Sequence, residues 1–143
     1  MTEVSFHFNV PDRLAYACRL LRKATRAGAR VAVTAPGQTL SDLDRVLWTF
    51  DPIDFVAHRR LPAGEAVPAR LSPTPVWLLD RVADAPDHDV LLNLGEEMPQ
   101  GFESFERVIE IVSMSNEERH AARERWKHYS ARGYAITRHE VAA

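Results

Sequence analysis

The sequence predicts an α/β fold around a mostly parallel sheet, and three observations near its start carry that expectation. An alternating apolar segment opens the chain, a helix-periodic segment follows, and a continuous apolar run comes next. Strand, helix and strand in that order form a βαβ unit, whose two strands lie parallel.

Residues 3–9 place Val4, Phe6 and Phe8 on one face and stop at Pro11-Asp12, which predicts a strand with one dominant buried face. Residues 14–27 carry Leu14, Ala17, Cys18, Leu21 and Ala24 at helical spacing, and Gly28 follows as a C-terminal cap. Residues 30–35 have the character of a buried strand. Pro36-Gly37 then turns the chain into a second helix over 40–50, capped by Thr39 or Ser41. Leu40, Leu43, Val46, Leu47 and Phe50 share one sector of it, and Trp48 falls outside.

Asp51-Pro52 ends that helix, residues 54–58 read as a short strand, and 61–75, rich in proline and alanine, as a loop. Residues 76–79 and 89–94 are two further strands separated by Ala85-Pro86-Asp87, and 95–101 breaks the chain again. Residues 107–112 supply another strand. Ser115-Asn116-Glu117-Glu118 is a capping box opening a last helix that runs to about Arg132 and stops at Gly133. Without repeats or an internal boundary, residues 1–143 are expected to form a single domain.

Composition narrows the function. The 143 residues are 45% hydrophobic and 27% charged, with a formal charge of -2. A protein that coats nucleic acid by bulk electrostatics is normally strongly basic, so any basic site here must be local. One cysteine, Cys18, excludes an internal disulfide and reads as a buried thiol. No segment resembles a leader or a membrane span, and the cytoplasm is the expected location.

Chemistry is sparse. The first strand-to-helix turn, Asn9-Val10-Pro11-Asp12, has no glycine to admit a pyrophosphate, and Asp12 would repel one. The second turn, Ala35 to Thr39, has one glycine and no P-loop lysine. His7, His58, His88, His120, His128 and His139 form no HxH or HExxH pair. Ser104, Ser113 and Ser115 lie in no nucleophile elbow. Neither a catalytic constellation, a metal site nor a cofactor site is expected.

Two features ask for a partner. Arg119, Arg123 and Lys127 recur every four residues on the last helix, with Trp126 beside them. Such a row suits an acidic peptide ending in a bulky residue and a free carboxylate, or a nucleic-acid strand, or is a solvated face paired with Glu124. Trp48, off the apolar sector of its helix, is either a contact residue or covered by the 61–75 loop, whereas Phe50 and Phe55 are expected in the core.

Two segments bring a family into view. Leu43-Asp44-Arg45-Val46-Leu47-Trp48, followed by Asp54-Phe55-Val56-Ala57-His58, resembles an LDxxLW helix end and FxPH strand. Ala122 to Tyr129 with Gly133-Tyr134 resembles an ARERYKxYR…GF ending. Both belong to the chi subunit of bacterial DNA polymerase III, and the resemblance covers almost the whole chain. It implies a three-layer α/β/α, Rossmann-like fold without a nucleotide. It also implies a non-catalytic clamp-loader adaptor that binds the acidic C-terminal tail of single-stranded DNA-binding protein and the psi subunit, meeting DNA only through them. Carried over by position, Arg123 would hold the tail's terminal carboxylate, and Arg119 and Lys127 its acidic residues. Val112, Trp48 and Trp126 would form apolar walls, and Phe55 would contact psi. The chain would be a monomer alone and a heterodimer with psi. Trp126 stands where the family has tyrosine, Ala57 where it has proline, and the 61–75 loop departs in composition and spacing. The second reading is a module that binds single-stranded nucleic acid directly through the basic face of the last helix.

Overall fold

In the computed structural model, which describes residues 2–51, 53 and 55–141, strands and helices alternate along most of the chain. They are β1 (Glu3–Val10), α1 (Arg13–Arg26), β2 (Val31–Thr34), α2 (Gly37–Thr49), β3 (His58–Leu61), β4 (Val76–Leu79), β5 (Val90–Asn93), β6 (Arg107–Ser113), α3 (Asn116–Ala131) and β7 (Ile136–Glu140). The seven strands pair in the order β3-β4-β2-β5-β6-β1-β7, every pair parallel.

Alternation along each strand divides the core in two. Val31, Val33, Val76, Leu78, Leu92, Ile109 and Ile111 face α1 and α2, packing with Leu21, Leu40, Leu43 and Leu47. Val4, Phe6, Phe8, Ala32, Trp77, Leu91 and Val108 face the other way, toward Ala122 and Tyr129 of α3. Helices therefore flank both faces, giving the expected three layers. The second face has a single long helix, and the rest of it is covered by irregular segments through Val67, Leu71, Met98, Phe102 and Phe105.

Asp12 caps α1, its Oδ1 accepting from the Ala15 amide at 3.1 Å, so this carboxylate closes the first turn rather than leaving it open. Cys18 is buried as expected, its thiol pushed up to about 11 by burial first and by the charge of Asp12 second.

Several expectations need correction. The second helix starts at Gly37, with Pro36 as cap and no side-chain hydrogen bond, so neither Thr39 nor Ser41 caps it. Its first turn faces outward and carried no apolar period to mark it. The strand read at 54–58 lies at His58–Leu61, where pairing with Val76–Leu79 sets its register; Asp54 lies outside the described residues. Leu61 therefore belongs to a strand, and Ala69–Leu71 forms a single 3-10 turn inside the loop. Only half of the capping box forms. Ser115 Oγ accepts from the Glu118 amide, but the Glu118 carboxylate turns to Ser113 and to Arg13, the latter at 2.8 Å. Strand β7 lies beyond the last element that the sequence predicts.

Candidate functional site: a basic groove and a distant aromatic patch

The fold brings α3 and β7 to one edge of the sheet with the end of β1 between them. Asn9 shapes this junction. Its φ of 61° is left-handed, a conformation asparagine tolerates better than most residues, and the β1 register shifts between His7 and Val10. Val10 consequently crosses to the α1 side of the sheet, while Phe8 stays on the α3 side. Asn9 Oδ1 then accepts from Arg119 Nη2 at 2.6 Å, joining the bulge to α3.

The result is a groove of about 480 Å³ lined by Phe8, Asn9, Arg119, Arg123, Trp126, Lys127, Arg138 and Glu140. Trp126 packs 5.1 Å from the Phe6 ring and 6.1 Å from Phe8, so one wall is aromatic and held by core residues. Lys127 meets Glu124 at 3.3 Å on the exposed surface, a weak contact. Arg123 is exposed and has no polar partner among the described residues. The pairing of these cations with Glu124 is thus confined to Lys127.

Two residues away, Arg125 does the opposite. It is buried, its Nε donating to Glu110 Oε1 at 3.1 Å and its Nη1 to the Glu96 carbonyl at 2.6 Å. Tyr129 and Asn93 also donate to Glu110, at 2.8 and 2.9 Å. Burial pushes the Glu110 carboxyl up while Arg125 and the two neutral donors pull it down, and burial beside Glu110 keeps the Tyr129 hydroxyl protonated. This network pins α3 to β5 and β6 and fixes the direction in which Arg123 points.

Val112 and Trp48, also named for the tail site, do not line the groove. Val112 is 1% exposed, in the cluster containing Phe8 and Ala122, and presents no open wall. Trp48 is 62% exposed and uncovered by the 61–75 loop, but sits on α2 beside β3, the opposite edge strand. Six strand spacings of about 4.8 Å separate that edge from β7, roughly 29 Å.

Trp48 instead stacks on Phe55, with ring centroids 5.0 Å apart. Phe55 is 47% exposed, not the core residue expected, because it precedes β3 and leaves Val56 to turn inward. The helix segment and the strand segment read from the sequence meet here. His58 is buried between Trp48 and Phe55, its Nε2 3.0 Å from Asp44 Oδ1 although off the line of a good hydrogen bond, and its Nδ1 2.7 Å from the Val56 carbonyl. Phe50, by contrast, packs against the core, with the Arg22 guanidinium 5.0 Å from its ring centroid.

A larger cavity, about 860 Å³, opens at the C-terminal ends of β2 and β5, where the connections diverge in opposite directions. Three of its charged side chains are paired, Arg13 with Glu118, Arg81 with Asp84 and Asp80 with Arg60, while Glu96 and Glu97 at its rim are exposed. No helix among the described residues is long and apolar enough to cross a membrane.

Sequence reasoning missed Phe8, Asn9, Arg138 and Glu140 as groove residues. Only the β-branched pair Ile136-Thr137 after Gly133 hinted at β7, since Arg138 and Glu140 take the face an apolar pattern would have marked.

Comparison with known proteins gives the family. The family model described as DNA polymerase III chi subunit, HolC, matches residues 1–137. DNA polymerase III subunit chi of Haemophilus influenzae is 31% identical over 129 residues, 87% of this chain and 85% of that protein. The subunit chi of Pseudomonas aeruginosa is 31% identical over 149 aligned positions, 99% of this chain and 98% of that protein. A family match over nearly the whole chain and two relatives at 31% identity show that this chain belongs to the DNA polymerase III chi subunit family.

Proposed function

We propose that the chain is a non-catalytic cytoplasmic adaptor whose groove takes the acidic C-terminal tail of single-stranded DNA-binding protein and whose aromatic patch takes the psi subunit. The observation that carries the first half is Arg123, an exposed guanidinium without a partner among the described residues, flanked by Arg119 and Lys127 and beside Trp126. A planar guanidinium binds a carboxylate through two parallel hydrogen bonds, and an aromatic wall receives a bulky terminal side chain. Val112 supports this site from within the core. Trp48 goes with Phe55 rather than with Arg123, so the two aromatics belong to the psi-facing surface.

Charges in the groove are largely exposed, so binding is expected in the micromolar range or weaker and to fall as salt rises. Calorimetric titration with a synthetic peptide copying the acidic tail tests the reading. Binding should disappear when the last residues of the peptide are removed and weaken by more than about tenfold in Arg123→Ala, at unchanged melting temperature. No binding of the intact peptide at low salt, with binding of a single-stranded oligonucleotide in its place, would replace this reading with direct nucleic-acid binding.

A further inference from the structure

We propose that Arg138 is a fourth cation of the groove and that Glu140 is its resident competitor, a carboxylate that the acidic peptide displaces on entry. This rests on the peptide reading above and goes beyond it, because the second wall of the groove comes from a strand that no motif marks. In β7, Ile136, Arg138 and Glu140 pair across from Val4, Phe6 and Phe8, which places them on the α3 side of the sheet. The Arg138 guanidinium lies 4.6 Å from the Phe8 ring centroid, a cation–π contact that holds it over the apolar floor of the groove.

One of its five donors reaches Glu140 Oε1 at 2.5 Å. Both side chains are more than half exposed, 58% and 54%. Pairs in such surroundings gain little over their separate hydration, so the contact is readily exchanged. An acidic peptide lying between α3 and β7 offers Arg138 the same chemistry that Glu140 offers, and adds contacts that Glu140 cannot make. Glu140 also repels the incoming negative charge. Its removal should therefore tighten binding, and the gain should depend on Arg138.

Titration of the tail peptide into the full chain, Arg138→Ala, Glu140→Gln and the double variant measures this. Arg138→Ala should weaken binding about fivefold and make its salt dependence shallower, and Glu140→Gln should tighten it about two- to threefold. In the double variant the gain from Glu140→Gln should shrink to the part that comes from direct repulsion of the peptide. Unchanged affinity in Arg138→Ala, or a Glu140→Gln gain that persists in full without Arg138, would overturn the proposal. If Arg123→Ala abolishes binding while Arg138→Ala does not change it, the peptide reading stands and this inference alone falls. If the wild-type chain takes up oligonucleotide and no peptide, both fall.

Discussion

The two edges of the sheet solve the problem of an exposed strand in different ways. At the β7 edge, four cations and one carboxylate surround an aromatic floor, and the strand itself is almost wholly exposed. At the β3 edge, the strand is only His58–Leu61, with Arg59 exposed and Arg60 paired with Asp80, and an aromatic pair stands beside it over a buried histidine. One edge thus offers charge with apolar backing and the other apolar surface with a polar support. An acidic, flexible segment suits the first; a partner that buries apolar area suits the second.

The strongest way to break the groove is through the network that holds α3. Arg125→Ala leaves Glu110 buried without its cation, which should cost about 3–5 kcal/mol and appear as a large drop in melting temperature together with loss of peptide binding. A full melting temperature in this variant would show that the network does not hold α3. Arg123→Ala, two residues away, is the contrasting change, with peptide binding lost and the fold intact.

Trp48→Ala should weaken psi binding several-fold while shifting the melting temperature by no more than about 2–4 °C, because the ring buries little in the free protein. A shift of core size, as for a buried Leu→Ala change costing about 2–5 kcal/mol, would place Trp48 among the structural residues instead.

Acid acts more gently, through His7. His7 stacks on His139 across β1 and β7 and meets the Tyr16 hydroxyl. Burial first, and charge on His139 second, lower its pKa to about 4, from an ordinary 6.5. Because the unfolded chain binds this proton more readily, the stability associated with neutral His7 is complete above pH 6.5 and declines as pH falls toward 4. Thermal melts of His7→Phe should show a flatter acid limb over that window than the wild type. Identical limbs would mean His7 is not the titrating group.

Much of this arrangement is legible in the amino-acid order. Val4, Phe6 and Phe8 announce β1 by alternation, and Leu40, Leu43 and Leu47 announce the buried stripe of α2, because burial on one face imposes a period. The same logic placed Trp48 outside the core and spaced Arg119, Arg123 and Lys127 along one face of α3. It failed where contacts rather than periods decide. Arg125 shares the helical spacing of Ala122 and Tyr129 and Arg123 does not, but that an arginine is buried there is decided by Glu110 on β6. Phe55 is as apolar as Phe50, yet the chain leaves α2 before it can turn inward. Residues that share a motif need not share a surface: Trp48 and Arg123 lie at opposite edges because the strand order carries α2 to one side and α3 to the other.

The separation of the two surfaces is tested most directly by titrating one tail peptide into the wild type, Arg123→Ala and Trp48→Ala under identical salt. Wild-type affinity in Trp48→Ala together with a loss of more than about tenfold in Arg123→Ala is the expected result. Equal losses in both variants would contradict it and return Trp48 to the wall of the tail site.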